Sequence, residues 1–367
     1  MRDSTRLIFG ICRARWPGVK IAQVAPLYES VPPKLYGGTE RVVSYLTEEL
    51  VRQGHQVTLF ASGDSITSAE LVPVYPNSLR LDPNCVDQLA HHITLLETVF
   101  RRAHEFDVMH FHIDYLHFPL STRQNIPHVT TLHGRLDLPD LLPLYENFRH
   151  VPLVSISDSQ RAPLSGVNWV ATVHHGIPEN LYRLHEKPGD YLAFIGRISP
   201  EKRADRAIWI AKKAGWKLRI AAKVDVNDQE YFKAEIEPLL REPGVEFIGE
   251  IGDDTKGEFL GGAAALLFPI DWPEPFGLAM IESLACGTPV IAYPQGAVPE
   301  VIDDGRSGFL VNSIDEAVEA VRNLGRLDRR CCRTIFEQRF SARRMACDYL
   351  KVYAGLLHRQ TRQAAVS

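Results

Sequence analysis

A short acidic segment that leads into a predicted helix carries the residue types best suited to chemistry. It reads Asp271-Trp272-Pro273-Glu274-Pro275-Phe276-Gly277-Leu278-Ala279-Met280-Ile281-Glu282. The apolar run before it, residues 263–270, predicts a buried strand, and apolar residues then recur at helical spacing, so a helix should begin at Gly277-Leu278. The unpaired N–H groups and the positive dipole end of a helix start bind anions, and Gly277 allows a phosphate or sugar to approach the backbone.

Two glutamates flank this predicted anion site. Glu274 precedes the turn, and Glu282 lies about a turn and a half into the helix. At ~1.5 Å rise per residue, Glu282 lies on the order of 8 Å from the amide groups, close to the separation between a diphosphate and the hydroxyls of its ribose. The segment is therefore suited to a nucleotide sugar. The plainer alternative is a solvated helix with two surface glutamates.

Cations follow another predicted strand. Gly196-Arg197 ends that strand, and Lys202 comes five residues later at a Ser-Pro-Glu helix start. Two cations over one strand end would stabilise the charge that develops on a diphosphate leaving group. Solvated surface cations are the alternative.

The paired glycines Gly37 and Gly38 lie between the first predicted strand and the first long helix. Such a pair can form a backbone nest for a phosphate, and a plain turn is an equally open interpretation. No G-x-G-x-x-G follows a predicted strand, which argues against a dinucleotide-dependent oxidoreductase. The absence of a G-x-S-x-G elbow argues against a serine hydrolase.

Several histidines lie at predicted strand ends, where they could form a metal cluster: His110, His112, His117 and His133. Zinc needs three converging ligands, and no carboxylate or cysteine spacing supports that, so we expect no metal. His133, beside a glycine, is the better candidate for contacting substrate. His175, which precedes Gly176, could line a hinge or cleft or contact the ligand directly.

Length and composition restrict the class of protein. The 367 residues favour two domains, and 45% hydrophobic with 23% charged residues is typical of a globular protein. The net charge of -4 argues against general nucleic-acid binding. No apolar run approaches the ~20 residues of a membrane span, and residues 7–12 are too short for a signal-peptide core, so we expect a cytoplasmic protein. The six cysteines contain no C-x-x-C pair.

Short apolar runs alternate with helical patterns along the chain, which predicts an α/β fold with parallel sheets. Predicted strands cover residues 21–26, 56–61, 107–112, 128–133, 153–157 and 169–174, and then 192–196, 217–222, 245–248, 264–269, 289–292 and 308–311. Predicted helices cover residues 39–53, 204–214, 228–240, 256–261, 277–286, 314–324 and 341–357. The two sets predict two Rossmann-like domains whose parallel sheets face each other across a deep interdomain cleft, with ligands at the carboxyl ends of the strands.

Domain boundaries follow from the same pattern. Residues 1–18 are expected to be an N-terminal extension outside the fold, because the first convincing strand begins after them. The first domain covers residues 19–176 and the second residues 177–340. A helix over residues 341–358 is expected to return to the first domain, and residues 359–367 should form a flexible tail.

With these motifs in order, the chain resembles the family-4 retaining glycosyltransferases of GT-B fold. The resemblance covers residues 20 to about 357. It depends on Gly37-Gly38, on His133-Gly134, on Gly196-Arg197-x4-Lys202 and on the E-x7-E spacing of Glu274 and Glu282. It implies an acceptor-binding first domain and a donor-binding second domain.

The resemblance also implies a role for each motif. The amides of Gly37 and Gly38, together with Arg197 and Lys202, would hold the donor diphosphate, and Glu282 would bind the ribose hydroxyls. The donor sugar would contact Glu274 and the amides of Phe276, Gly277 and Leu278, with His133 near the reacting carbon. Base contacts would come from Val224 in the loop Lys223-Val224-Asp225, which stands where relatives have a glycine-rich loop, and from Gly249-Glu250. His175-Gly176 stands where many relatives have Asn-Gly.

The implied reaction is transfer of a hexosyl unit from a nucleotide diphosphate sugar, with UDP favoured, to an acceptor hydroxyl. It would proceed with retention, by front-face attack and without metal or other cofactor. The acceptor would be a carbohydrate, a lipid-linked molecule or a small molecule, bound by loops at residues 28–36, 113–118 and 135–146. Nucleic acid is not expected as a partner, and membrane contact would be at most peripheral. The alternatives are a sugar-nucleotide epimerase of similar fold and a non-catalytic nucleotide-sugar-binding protein.

Overall fold

The structure is a computed structural model that describes residues 18–34, 37–80 and 82–364. The expected extension, residues 1–18, lies outside the described residues except for Gly18, and so do the last three residues of the expected tail. The described chain divides into two compact units. We call the part formed by residues up to 156, 163–176 and from 342 onward the N-terminal unit, and the part formed by residues 157–162 and 177–341 the C-terminal unit.

The N-terminal unit contains a seven-stranded sheet in the order β3-β2-β1-β4-β5-β6-β7, with every neighbouring pair parallel. The strands are β1 (Lys20–Val24), β2 (Gln56–Ser62), β3 (Glu70–Tyr75), β4 (Val108–Phe111), β5 (His128–Thr131), β6 (Leu153–Ser155) and β7 (Trp169–Thr172). Its helices are α1 (Gly38–Arg52), α2 (Gln88–Arg101), α3 (Phe118–Ser121), α4 (Leu141–Asn147) and, at the end of the chain, α13 (Ala342–Ala364). The sequence predicts a tail from residue 359, whereas α13 continues to Ala364.

The sequence pattern misses strand β3. Pro73 interrupts its apolar run, and the strand lies at the edge of the sheet with none of its six residues fully buried, so it lacks the buried pattern of the central strands. The pairing is nonetheless parallel, with Leu59 of β2 opposite Leu71. The first sheet therefore has seven strands rather than about six.

The C-terminal unit contains a six-stranded parallel sheet in the order β10-β9-β8-β11-β12-β13. The strands are β8 (Tyr191–Arg197), β9 (Lys217–Lys223), β10 (Val245–Gly249), β11 (Ala265–Phe268), β12 (Val290–Ala292) and β13 (Gly308–Leu310). The helices are α5 (Asp158–Arg161), α6 (Ala204–Ala214), α7 (Gln229–Tyr231), α8 (Asp253–Gly261), α9 (Leu278–Ala285), α10 (Val298–Val301), α11 (Ile314–Arg322) and α12 (Arg329–Arg339).

One predicted helix takes a different form. Residues 228–240 are not a single α-helix: α7 passes into a π-helical turn, Phe232–Ile236, and then a 3-10 turn, Leu239–Arg241. Pro238 has no N–H and cannot continue an α-helical hydrogen-bond ladder, and the preceding Glu237 amide instead bonds to the Phe232 carbonyl at 2.8 Å.

Each unit buries its own apolar core beneath its sheet. In the N-terminal unit, strands β1 and β4 pack against α2, with Phe111 and Leu95 fully buried. In the C-terminal unit, strands β8 and β9 pack against α6 and α11, with Leu192 and Ile208 fully buried. Two Rossmann-like α/β units are therefore present, as the sequence predicts. No helix among the described residues is long and apolar enough to cross a membrane.

Candidate active site

The C-terminal unit has its topological switch point between β8 and β11. Strand β8 pairs with β9 on one side and with β11 on the other, so the connections that leave these strands diverge at their carboxyl ends. Arg197 ends β8 and Phe268 ends β11. The segments that follow are joined by a hydrogen bond of 2.8 Å from the Asp271 amide to the Glu201 carbonyl. The two motifs singled out in the sequence therefore meet at one sheet edge.

Lys202 and Glu274 form the centre of this group. The Lys202 ammonium forms an ion pair with Oε2 of Glu274 and lies 4.9 Å from the centre of the Trp272 ring. The Trp272 indole Nε1 donates a hydrogen bond of 3.1 Å to the same carboxylate oxygen. Glu274 is thereby held in one orientation by a cation and an aromatic donor.

Arg197 is also paired with acidic side chains. Its guanidinium lies 2.7 Å from Glu201 and 3.4 Å from Asp228. Both cations predicted for the diphosphate thus have carboxylate partners, with which a bound diphosphate would compete. The ion pairs fix the positions of the two cations at the switch point.

Helix α9 begins where the sequence predicts, with Gly277 as its N-cap in the left-handed region at φ 87°. No side chain of the described residues caps this helix, so its first N–H groups lack such a partner. The Phe276 side chain is buried and its ring lies 6.1 Å from the ring of Phe340. A ligand at this helix start can therefore reach only the backbone of Phe276, together with the amides of Gly277 and Leu278.

The loop that contains Gly296 and Ala297 packs against the backbone of Glu274. Gly296 has φ 61°, and a Cβ placed there would lie 2.3 Å from both the nitrogen and the carbonyl oxygen of Glu274. The Ala297 amide donates to that carbonyl at 2.9 Å. Only glycine permits this approach, which fixes the backbone of Glu274.

Glu282 is buried inside the unit, at 4% exposure. Its Oε1 accepts a hydrogen bond of 2.9 Å from the ammonium group of Lys256, on helix α8, and that ammonium also lies 3.1 Å from Asp253. Charge on a buried carboxylate is stabilised by such a partner. The ribose anchor implied by the sequence is therefore one member of a buried ion pair.

Val224 follows strand β9 directly and packs, partly buried, against the core of the C-terminal unit. The carbonyl of Lys223 before it accepts a hydrogen bond of 2.8 Å from the Ile198 amide, and the Lys223 ammonium lies 3.7 Å from Asp225. The loop predicted to contact the base is thus tied to the segment that carries Arg197. Gly249, the other predicted base contact, ends β10 next to it in the sheet.

In the N-terminal unit, Gly37 is the N-cap of α1 and Gly38 is its first residue. No side chain of the described residues caps this helix, so no capping side chain binds its first amide groups. Glu40 lies buried in the first turn, and desolvation raises its pKa to about 7. A buried carboxyl therefore lies beside the paired glycines.

His133 follows strand β5 and His112 follows strand β4. The Nε2 atom of His133 lies 2.9 Å from Nδ1 of His112, and the His133 ring stacks on that of His175 with centroids 5.2 Å apart. Desolvation lowers the pKa of His133 to about 3 and holds the pKa of His112 well below its usual range. Both imidazoles are therefore neutral at physiological pH.

The other two histidines considered for a metal cluster have protein partners. His110 lies 2.8 Å from the Tyr353 hydroxyl, and His117 lies 2.7 Å from that of Thr130. Across residues 18–34, 37–80 and 82–364, no group of three or more His, Cys, Asp or Glu side chains is arranged to hold a metal ion. Buried His175 contributes its carbonyl as an acceptor for Arg344, at 2.8 Å.

Sequence reasoning assigns no role to Lys256 and Trp272, which contact the predicted site residues Glu282 and Glu274. It also assigns none to Gln23, which contacts His112, the neighbour of His133. Trp272 lies two residues before Glu274, so the sequence indicates that the two are close, but it does not predict the hydrogen bond between them. Lys256 lies 26 residues from Glu282, and Gln23 lies 89 residues from the His112 that it contacts. No local pattern connects partners so far apart.

The comparisons with known proteins agree with this arrangement. The family model described as "Glycosyltransferase Family 4" matches residues 36–158, and that described as "Glycosyl transferases group 1" matches residues 183–334. An uncharacterized glycosyltransferase of Methanocaldococcus jannaschii is 25% identical over 350 residues, which cover 80% of this chain and 85% of that protein. Together the two family models span most of the chain.

Solved structures show the same fold. AviGT4, a glycosyltransferase involved in avilamycin A biosynthesis, has a TM-score of 0.70 at 24% identity, over 93% of this chain and 98% of the other. The Anabaena protein Alr3699/HepE, in complex with UDP and glucose, has a TM-score of 0.70 at 20% identity, over 92% and 100%. The chain is a glycosyltransferase of GT-B fold and belongs to the family-4 glycosyltransferases.

Proposed function

We propose that the protein transfers a hexosyl unit from a nucleotide diphosphate sugar, UDP-hexose in the first place, to an acceptor hydroxyl with retention of anomeric configuration. The observation that carries the proposal is the group at the β8–β11 switch point. There the pair of Lys202 and Glu274 adjoins the uncapped start of α9, and buried Glu282 lies further along the same helix. This arrangement offers separate partners for phosphate, sugar hydroxyls and ribose hydroxyls.

Each partner has a defined task. Lys202 and Arg197 would neutralise the diphosphate as its bond to the sugar breaks, and the α9 amides would bind its oxygens or those of the sugar. Glu274, oriented by Trp272, would accept hydrogen bonds from sugar hydroxyls. Glu282 would accept those of the ribose.

The N-terminal unit would supply the acceptor site and further donor contacts. We assign a phosphate contact to the amides of Gly37 and Gly38 and a sugar contact to His133. A neutral imidazole with its pKa at about 3 would not serve as a general acid or base near pH 7. We therefore favour front-face attack, in which the leaving phosphate oxygen takes the proton of the acceptor hydroxyl.

The proposed reaction needs no metal ion, because two cations and a helix start supply positive charge to the diphosphate. UDP is the first donor to test, since a protein of the same fold has been solved with UDP and glucose. The acceptor would be a carbohydrate, a lipid-linked molecule or a small molecule. We place the reaction in the cytoplasm, with at most peripheral contact at the inner face of the membrane.

A thermal-shift screen tests the donor assignment. Purified protein is heated with equal concentrations of UDP-, GDP- and ADP-hexoses in the presence of EDTA, and a tighter binder raises Tm further. We expect UDP-hexoses to give the largest shift and Lys202→Ala to reduce it. A shift that appears only with manganese and disappears with EDTA would contradict metal-independent binding.

A further inference from the structure

A series of buried hydrogen bonds begins at His133 and continues through the interior of the N-terminal unit. His133 Nε2 lies 2.9 Å from His112 Nδ1, and His112 Nε2 lies 2.8 Å from the side-chain oxygen of Gln23. The Gln23 amide nitrogen donates to the Tyr353 hydroxyl at 3.2 Å. Gln23, His112 and Tyr353 are almost completely buried, so each polar atom must find its partner within the protein.

The direction of this series follows from Gln23. Its nitrogen donates to Tyr353, so its oxygen faces His112 and can only accept. His112 must therefore carry its proton on Nε2, which leaves Nδ1 unprotonated. Because neutral His112 presents a lone pair at Nδ1, the proton shared with His133 belongs to Nε2 of His133.

The hydrogen bonds beyond Gln23 are consistent with this direction. The Tyr353 oxygen accepts from Gln23, so its own proton is available to Nδ1 of His110, at 2.8 Å. His110 can then donate from Nε2 to the Thr131 hydroxyl at 2.7 Å. Each donor in the series has an acceptor, and aligned hydrogen bonds of this kind polarise one another.

The series of hydrogen bonds ends at His133, where one ring nitrogen has no partner among the described residues. Nδ1 of His133 is buried and makes no hydrogen bond. By the direction just derived, this nitrogen carries a lone pair and no proton. It can accept a hydrogen bond from a hydroxyl, whereas a phosphate oxygen or a carbonyl would bring a second lone pair against it.

We propose that Gln23 is a positioning residue that, through His112, holds His133 in the tautomer whose Nδ1 accepts a hydrogen bond from a sugar hydroxyl of the substrate. The inference rests on the proposed contact between His133 and the sugar. Gln23 itself touches no substrate. It acts at a distance by fixing which nitrogen of His133 is protonated.

The tautomer can be measured directly by NMR on the ligand-free protein labelled with ¹⁵N-histidine. Long-range ¹H–¹⁵N correlations distinguish a protonated from an unprotonated imidazole nitrogen, and His133→Asn assigns the signals. We expect His133 to be protonated at Nε2 and bare at Nδ1. Protonation at Nδ1 would overturn the proposal, and the measurement needs no substrate.

Two variants at Gln23 then test its role. Gln23→Glu keeps an acceptor for His112 and should preserve the His133 tautomer, whereas Gln23→Met removes the acceptor and should give a mixture of tautomers. For folded Gln23→Met we expect donor KM to rise about tenfold, with Gln23→Glu closer to wild type. A wild-type tautomer in Gln23→Met would refute the role of Gln23.

The outcomes separate this inference from the proposed function. If the tautomers behave as expected but no nucleotide sugar binds, the proposed function fails and the positioning role stands. If donor binds normally but the tautomer does not depend on Gln23, the positioning role fails and the proposed function stands.

Discussion

The ammonium group of Lys256 lies 2.9 Å from Oε1 of Glu282, and both side chains are buried. The pair joins helix α8 to helix α9 inside the C-terminal unit, and Asp253 provides a second carboxylate at 3.1 Å. Removing one member of such a pair leaves a buried charge without its partner. Lys256 should therefore hold the Glu282 side chain in place for the ribose contact proposed above.

Lys256→Met should raise donor KM about tenfold and change kcat little, because a ribose anchor contributes equally to the ground and transition states. Lys256→Met should also lower the free energy of unfolding by about 3–5 kcal/mol. The double variant Lys256→Met, Glu282→Gln should regain most of this stability but not the donor affinity. Steady-state kinetics and urea unfolding measure both effects. Lys213→Met, from the exposed pair with Asp315, is the control. An unchanged donor KM in Lys256→Met would contradict the role of the pair.

Trp272→Phe separates the ring of Trp272 from its N–H. Phenylalanine keeps an aromatic face for Lys202 but cannot donate to Glu274. A hydrogen bond to a charged group is worth about 1.5–3 kcal/mol, so we expect kcat/KM to fall about tenfold while Tm stays near the wild-type value. Trp209→Phe is the matched control, since Trp209 contacts Lys212 instead. Equal kinetics in the two variants would show that the orientation of Glu274 does not depend on the indole.

Gly296→Ala should disturb Glu274 through the backbone. The added Cβ would meet two backbone atoms of Glu274 at 2.3 Å, and φ 61° is unfavourable for alanine. We expect at least a tenfold loss of kcat/KM together with a lower Tm. Gly325→Ala adds a Cβ that meets no heavy atom of the described residues within 4 Å, and it should be neutral in both measurements. Wild-type activity in Gly296→Ala would refute the support that this loop gives to Glu274.

The buried histidines should make the stability of the N-terminal unit depend on pH. Desolvation lowers the pKa of His133 to about 3 and holds the pKa values of His110, His112 and His175 well below 6.5. The unfolded chain binds protons below about pH 6.5 that the folded unit does not, so stability is full above that pH and is lost as pH falls. Each such proton costs on the order of 1.4 kcal/mol per pH unit. Urea unfolding from pH 7.5 to 5 should show this loss, and His133→Asn should reduce its slope.

Glu40 should have the opposite effect to the histidines, lowering the stability of the fold as pH rises. Desolvation raises its pKa from 4.5 to about 7, so the folded state retains a proton that the unfolded state has lost. Its effect on stability is absent below about pH 4.5 and grows unfavourable as pH rises to 7. Glu40→Gln should therefore stabilise the protein at pH 8, by on the order of 3 kcal/mol, and much less at pH 5. Glu97→Gln, at an exposed position of α2, is the control.

The sequence was sufficient for elements whose signal is local. The α9 start and the end of β8 are set by residues within a few positions of each other, and the structure has them where the pattern predicts. Strand β3 was missed because Pro73 and its edge position hide its pattern. Lys256 and Gln23 could not be found because their contacts arise only when distant segments fold together.

The stereochemistry of transfer tests the central proposal most directly. Protein incubated with an α-linked UDP-hexose and EDTA, with water as the acceptor, releases free sugar whose anomeric proton can be followed by ¹H NMR before mutarotation. We predict that the α-anomer appears first and that Lys202→Ala slows its release at least tenfold. Initial release of the β-anomer, or release only after manganese is added, would contradict retaining, metal-independent transfer at this site.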